Sequence, residues 1–246
     1  MKTKKIIYYI YDNMKTLLGA LIIAVLIRSL LFQPFYIPSS SMEPTLLVGD
    51  RIFVSKYAYG YSKHSFPFSP NITSKRFFSK SPQRGDLVVF KTPADNRTDY
   101  IKRLIGMPGD TIQFIEGSIL INNKKILRKQ TESKKIIRCG NFLLETNTFI
   151  ETLPNGKEHI VVYKKKGTLK NTKIFEVPDN HYFLLGDNRD CSKDSRYLDS
   201  VGYVNSLNLV GEAKLIFFSN DTNVSSLLKI WNLNKSFRLE RLLKGL

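Results

Sequence analysis

The chain reads as a mainly β protein held behind one N-terminal membrane-spanning helix. Three observations carry that reading. An apolar run of membrane length lies near the start, helical periodicity is absent after it until the C-terminus, and short β-rich runs punctuated by turn residues fill the interval.

The first element is the anchor. Residues 16–27 are uncharged and almost wholly apolar; Arg28 interrupts, and Leu30, Leu31, Phe32 and Phe35 continue the apolar character. A helix from Leu17 to Phe35 rises about 28 Å at ~1.5 Å per residue, close to the ~30 Å hydrocarbon thickness. Arg28 costs ~2.5–3.5 kcal/mol at mid-depth and less when it snorkels outward. Pro34 and Pro38 then stop the helix and extend the chain. A cleavable signal peptide is the competing reading, but no Ala-x-Ala site follows the apolar core, and Arg28 and Pro34 occupy the cleavage region. Lys2, Lys4, Lys5 and Lys15 precede the run, and Arg51 is the first basic residue after Phe35. The positive-inside bias therefore assigns residues 1–15 to a cytoplasmic tail, 16–35 to the anchor and 36–246 to an extracytoplasmic body.

The body follows as strands: Arg51–Ser55, Asp86–Lys91, Tyr100–Ile105, Thr111–Ile115, Ser118–Ile121, Ile160–Tyr163, His181–Leu185 and Lys214–Phe218. Glu116-Gly117, Asn122-Asn123, Pro154-Asn155-Gly156 and Pro178-Asp179-Asn180 supply the turns. Thr111–Ile121 has the alternation of a hairpin. Residues 62–83, rich in Ser, Lys, Phe and Pro, read as a long exposed loop. The basic, amphipathic tail Leu227–Leu246, with Trp231, Leu233 and Phe237, lies either on the protein or on the membrane surface.

Composition narrows the function. With 246 residues, 42% of them hydrophobic, the chain can bury a core. The 38 Lys+Arg against 21 Asp+Glu favour anionic partners. These lysines are scattered, however, and no zinc finger, RNP-like aromatic motif or basic zipper accompanies them, so nucleic acid is a poor partner. Cys139 and Cys191 form no CxxC pair; one bridge between them is open, and spacing does not decide it. No Gly-x-Ser-x-Gly elbow, HExxH helix or Walker A loop is present. His64, His159 and His181 stand in unrelated contexts and read as surface or strand residues.

Three segments remain. Phe35-Tyr-Ile-Pro-Ser-Ser-Ser-Met-Glu-Pro-Thr-Leu sets three hydroxyls beside the bilayer. Arg84-Gly-Asp-Leu-Val-Val-Phe is followed by Tyr100-Ile-Lys-Arg, in which Lys102 breaks an apolar strand. Leu185-Gly-Asp-Asn-Arg-Asp-Cys-Ser-Lys-Asp-Ser-Arg-Tyr is dense in Asp, Ser and Arg. Read singly, the first is also a polar linker, Lys102 a solvent-facing lysine, and the third a turn of paired charges or a calcium loop without EF-hand spacing. Together, in this order behind one anchor, they closely resemble the type I signal peptidases, membrane-bound serine endopeptidases of bacteria. The resemblance runs from the anchor to about Phe218. Ser40 stands where that family commonly has glycine, and Cys191 fills a variable slot.

The resemblance implies a nucleophile, Ser41, and a general base, Lys102, in a Ser/Lys dyad without histidine. It casts Ser39 as an oxyanion-hole hydroxyl and Ser192 as the hydroxyl that orients the lysine. Asp194 and Arg196 become a supporting ion pair, with Arg103 beside the base. It also implies a mainly antiparallel β body with a smaller β region inserted at about 113–175. The activity would be cleavage of signal peptides from exported preproteins after small residues at −1 and −3. Implied partners are those preproteins and membrane phospholipid, with the secretion machinery a further candidate; no metal or cofactor enters. The implied location is the bacterial inner membrane. A maturation peptidase for one secreted substrate, or an inactive anchored binding module, are the alternatives.

Overall fold

The computed structural model describes residues 2–71, 73–140, 142–164, 171–220 and 237–246. Helix α1 (Lys2–Leu26) continues through a π-helical turn, Ile27–Leu31. From Tyr11 to Leu31 it offers 21 residues of apolar character that the body leaves almost uncovered. That length is about 31 Å at ~1.5 Å per residue, enough for the ~30 Å hydrocarbon layer.

The helix ends before the point that the sequence suggests. Strand β1 (Phe32–Tyr36) begins directly after the π turn and pairs antiparallel with β2 (Asp50–Ser55), so the last four residues expected in the anchor belong to the sheet. Pro34 fits inside β1 because β1 is an edge strand, whose outer N–H groups have no ladder to join.

The main sheet runs β1-β2-β14-β3-β4-β12-β13, with β15 added to β14. Its other members are β3 (Leu87–Lys91), β4 (Asp99–Gly106), β12 (His181–Leu185), β13 (Val204–Asn205), β14 (Leu209–Ser219) and β15 (Lys244–Gly245). Every pairing in it is antiparallel. Shifts of register along β14 and between Phe183 and Leu184 of β12 curl the sheet. Between β4 and β12 the chain builds two smaller sheets. One joins β5 (Thr111–Ile115), β6 (Ser118–Ile121), β7 (Lys124–Lys125) and β11 (Phe175–Glu176). The other is β8 (Leu127–Cys139), β9 (Phe142–Thr152) and β10 (Glu158–Lys164). The β5–β6 and β6–β7 connections put Glu116-Gly117 and Asn122-Asn123 at positive φ, the geometry of a type I′ turn that glycine and asparagine tolerate.

Three apolar clusters hold these layers. Ile37, Met42, Leu46 and Ile52 form one with Val89 and Ile216. Val88, Phe90, Leu104 and Leu184 form a second on the opposite face of β3, as the period of a strand requires. The third lies where β5 and β6 meet β12, around Ile112, Phe114, Ile119 and Phe183.

Strands β8 and β9 have no counterpart in the sequence reading. Leu-Arg-Lys-Gln-Thr-Glu-Ser-Lys-Lys-Ile-Ile-Arg-Cys lacks alternation because much of this hairpin meets water on both faces. Residues 62–83 are only partly the open loop expected. Ser62, His64 and Ser65 are buried in a capped 3-10 turn, and Arg76 donates to the carbonyls of Gly60, Ser206 and Leu209.

Of the expected amphipathic tail, 227–236, including Trp231 and Leu233, lies outside the described residues. The described remainder docks on the body. Arg241 meets both carboxylate oxygens of the fully buried Asp50, Nε at 3.0 Å and Nη2 at 2.5 Å, and the same Nη2 also donates to Thr45 O. Breaking a buried pair from one side leaves an uncompensated charge and costs about 3–5 kcal/mol. We expect Arg241→Met to lower the melting temperature clearly, measured by circular dichroism in detergent, and Asp50→Asn added to it to restore part of the loss. An unchanged melting temperature in the single variant would remove this pair from the stability account.

Candidate active site

The site begins where β1 leaves the sheet. Ile37 N–H donates to Asp50 O and Gly49 N–H returns to Ile37 O, so the chain between them closes as a loop over the core. Ser40–Met42 forms one 3-10 turn within it. Met42 and Leu46, both fully buried, plug the loop into the first apolar cluster and fix the turn from below. Ser41 is buried and Ser39 exposed, their hydroxyl oxygens 3.4 Å apart.

Lys102 reaches this turn from β4, where it sits opposite Val88 of β3. Its Nζ donates to Ser41 Oγ at 2.6 Å and to Ile101 O at 2.9 Å, and lies 5.4 Å from the centre of the Tyr100 ring. Only 3% of the residue is exposed. Burial makes the charged ammonium costly and lowers the Lys102 pKa to about 8; the nearby carboxylates Asp194 and Asp187 pull it back upward. Ile101 packs with the Ile37–Met42 cluster and Leu104 with the Val88–Phe90 cluster.

The loop after β12 closes the site, because Leu185 of β12 pairs with Arg103 of β4 and delivers Gly186 beside Lys102's strand. Asn188 ties this loop to the serine turn: its backbone N–H donates to Ser41 O and its side chain to Ser40 O, each at 3.1 Å. Gly186 is needed for the same approach. A Cβ built there lies 2.2 Å from Ser192 Oγ and 2.5 Å from Ser41 O. Ser192 is buried, and its hydroxyl is among the groups that hold the Asp194 carboxyl ionised. It thus lies close to the serine turn without donating to Lys102.

Asp194 and Arg196 form a buried bidentate pair at 2.8 Å, and Asp194 also accepts from Gly186 N–H. Arg103 makes a different pair. It grips Asp187 at 2.8 and 2.7 Å, with Thr45 donating to the same carboxylate at 2.6 Å. Burial alone would raise both carboxyl pKa values, but the arginines hold each below the ordinary range. The carboxylates of this loop are therefore spent on cations and backbone donors, Asp190 accepting from Lys164 N–H, which leaves no calcium loop.

Sequence reasoning assigned no role to several residues here. Asp187, Asn188 and Arg189 were visible only as part of a dense polar run. Glu151 and Glu43 carried no signal, since their partners are distant in sequence. Arg189 pairs with Glu151 of β9 at 2.9 and 2.7 Å, both fully buried, and Glu43 accepts from Arg138 N–H of β8. Cys139 and Cys191 form a disulfide between β8 and the same loop. Of the histidines, His159 lies buried beside Glu151 at 3.5 Å, and none hydrogen-bonds Ser41 or Lys102 among the described residues.

A hydroxyl held on an amine of lowered pKa, beside an apolar cleft of about 440 Å³ that includes Phe35, Ile37 and Ile101, is suited to acyl transfer without histidine or metal ligands. Comparison with known proteins gives the family. A family model described as signal peptidase, peptidase S26, matches residues 10–218. A signal peptidase I from Rickettsia typhi is 43% identical over 243 residues, covering 91% of this chain and 89% of its own. One from Rickettsia conorii is 42% identical over 248 residues, covering 91% and 88%. A solved signal peptidase I from Enterococcus faecalis is 25% identical, with a TM-score of 0.32 over 54% of this chain and 97% of that one. By the family match and the extent of its likeness to the rickettsial enzymes, this chain belongs to the signal peptidase family, peptidase S26, and is a serine peptidase.

Proposed function

We propose that the chain cleaves N-terminal signal peptides from exported preproteins after small residues at −1 and −3, with Ser41 as nucleophile and Lys102 as general base. The observation that carries the reading is the 2.6 Å contact between Lys102 Nζ and Ser41 Oγ inside a buried site. At a pKa of about 8, about one lysine in ten is neutral at pH 7; at the ordinary value of ~10.4 it would be about one in 2,500.

The neutral amine takes the Ser41 hydroxyl proton as Oγ bonds to the scissile carbonyl carbon. The oxyanion accepts from the Ser39 hydroxyl and the Ser41 N–H, an arrangement worth about 3 kcal/mol per donor. Collapse expels the new α-amine of the mature protein, which takes its proton from Lys102. Lys102, neutral again, then activates the water that releases the signal peptide as a carboxylate. Ser192, beside Gly186 and the serine turn, bounds the lysine's pocket; Asp194–Arg196 and Arg103–Asp187 keep the loop and β4 in place. The apolar cleft beside Ser41 suits small side chains at −1 and −3.

The same reading places α1 in the bacterial inner membrane with its basic start in the cytoplasm and the body outside. The disulfide supports this, since such bonds persist in oxidising compartments. Preproteins, membrane phospholipid and the secretion machinery are the partners it entails.

Purified protein in detergent, given a labelled preprotein bearing Ala-x-Ala, is expected to cut after the −1 alanine, located by mass. Ser41→Ala and Lys102→Ala are expected to lose at least a thousandfold in kcat/KM; comparable cutting by all three proteins would overturn the dyad. The pH dependence has a defined sign. Because the base must be neutral, log kcat/KM rises with slope one below about pH 8 and levels above it. A limb still climbing to pH 10 would place the base elsewhere. Gly186→Ala, which forces a methyl against Ser41 O and Ser192, is expected to lower kcat about a hundredfold with the circular dichroism spectrum retained. Near-wild-type kcat would mean that this close approach is not required.

A further inference from the structure

A second pocket, of about 600 Å³, opens on the far side of Phe35 from the cleft and rests against the end of the anchor. Arg28 of the π turn, Lys63, His64, Phe66, Phe68 and Arg97 are among its walls. The peptidase mechanism uses none of them.

Three features point to its ligand. First, the charge is unbalanced. Lys91 is committed to Asp99 at 2.9 Å, and Asp95 accepts from the backbone of Arg97 and Thr98 and from the Thr98 hydroxyl. Arg28, Lys63 and Arg97 have no ion pair among the described residues. Second, His64 is 4% exposed and lines the pocket, yet its Nε2 has no hydrogen-bond partner. Burial, with Lys63, Lys91, Arg76 and Lys56 nearby, lowers its pKa to about 4, so the ring is neutral. Ser69 Oγ lies 2.9 Å from Nδ1 and holds the ring in the pocket wall. The cations that act on this buried ring make the field in the pocket wall positive, which favours an anion. Third, the rim adjoins the end of the apolar helix. Tyr61 donates to Leu30 O at 2.9 Å, which ties this loop to the outer end of the span, and Phe68 is fully exposed.

Cations without ion partners around one cavity select an oxyanion, and guanidinium and ammonium groups pair well with the oxygens of a phosphate. The anchor's end and the exposed phenylalanine select the source. We infer that this pocket binds the phosphate of an anionic phospholipid headgroup from the outer leaflet, a site separate from the Ser41 cleft. The inference rests on the membrane-anchored reading of α1. Its consequence is positional: a bound headgroup ties the 63–69 and 91–99 segments to the bilayer, and Asp99 and Phe35 border both pockets.

The test uses the full chain in dodecyl maltoside, titrated with phosphatidylglycerol and read by native mass spectrometry as lipid adducts. The Lys63→Gln/Arg97→Gln double variant is expected to bind the first lipid about thirtyfold more weakly, on the basis of ~1 kcal/mol for each of the two surface cations. Lys124→Gln/Lys125→Gln, on exposed β7, is expected to leave binding unchanged. Melting temperatures by circular dichroism establish that each variant is folded. Equal lipid retention in wild type and the pocket variant, or equal loss in the β7 control, would overturn the site. Displacement of the lipid by millimolar inorganic phosphate would make it a free-phosphate pocket and overturn the lipid assignment. Flotation of wild type with phosphatidylcholine vesicles tests the anchor separately, so its failure and the pocket's failure are told apart.

Discussion

An amine must be kept dry without being given a counter-ion: the rest of the site is arranged around that constraint. Lys102 is pushed to about 8 by burial, and every unneutralised carboxylate nearby works against it. Two carboxylates do lie nearby, Asp187 and Asp194, both fully buried. Each is engaged by an arginine through two short contacts, Asp187 by Arg103 and Asp194 by Arg196. The pairs thus have an electrostatic role beside their structural one. They supply the hydrogen-bonding anchors that fix the loop, and they blunt the negative field that would otherwise restore the proton to the lysine. A buried pair seldom adds net stability over an apolar replacement. Here an apolar replacement would also remove the ties to Gly186 N–H and Thr45 that set the loop's position.

The loop that closes the site is held from outside the main sheet. Arg189–Glu151 reaches it from β9, the disulfide from the end of β8, and Asn188 joins Arg138 O to Ser40 O. Glu43, directly after the serine turn, accepts from Arg138 N–H. The β8–β10 sheet therefore braces both Ser41 and the 186–196 loop against each other across the site. A segment with little apolar patterning of its own acquires a defined place through one covalent and several charge-assisted ties. This gives a physical reason for its position between β4 and β12: it spans the two halves of the machinery that those strands carry.

Legibility in the sequence followed the origin of each signal. Strands with one buried face were readable by alternation, and β5, β6 and β12 carry the same bounds in sequence and structure. The anchor was readable by length and composition, but its end was not, because Pro34 stops a helix and equally suits an edge strand. The β8–β9 hairpin was invisible because alternation encodes a buried face and this hairpin largely lacks one. In the site, Ser41 and Lys102 were singled out by local motif, and the structure brings their side chains into contact. Asp187's engagement with Arg103, Glu151's with Arg189 and the Cys139–Cys191 bridge were not legible, since each joins positions far apart in the chain and depends on the fold to meet.

Distance from the membrane is built into the same few residues. The π turn ends at Leu31, β1 occupies Phe32–Tyr36, and the serine turn follows at Ser40. At ~3.3 Å per extended residue, the nine steps from Leu31 to Ser40 span at most about 30 Å, and pairing to β2 directs the first five along the sheet. An edge strand is a better spacer here than a continued helix or a flexible linker. Its ladder to β2 fixes direction, and Lys56 N–H bonding to Leu31 O extends that ladder to the end of the helix. The helix and the sheet are thereby one mechanical piece, and on the membrane-anchored reading the height of Ser41 above the bilayer is set by the fold. A substrate whose scissile bond follows a membrane-spanning apolar core is under the same geometric constraint. On the proposed function, equal heights would let the enzyme meet that bond without first drawing the substrate out of the membrane.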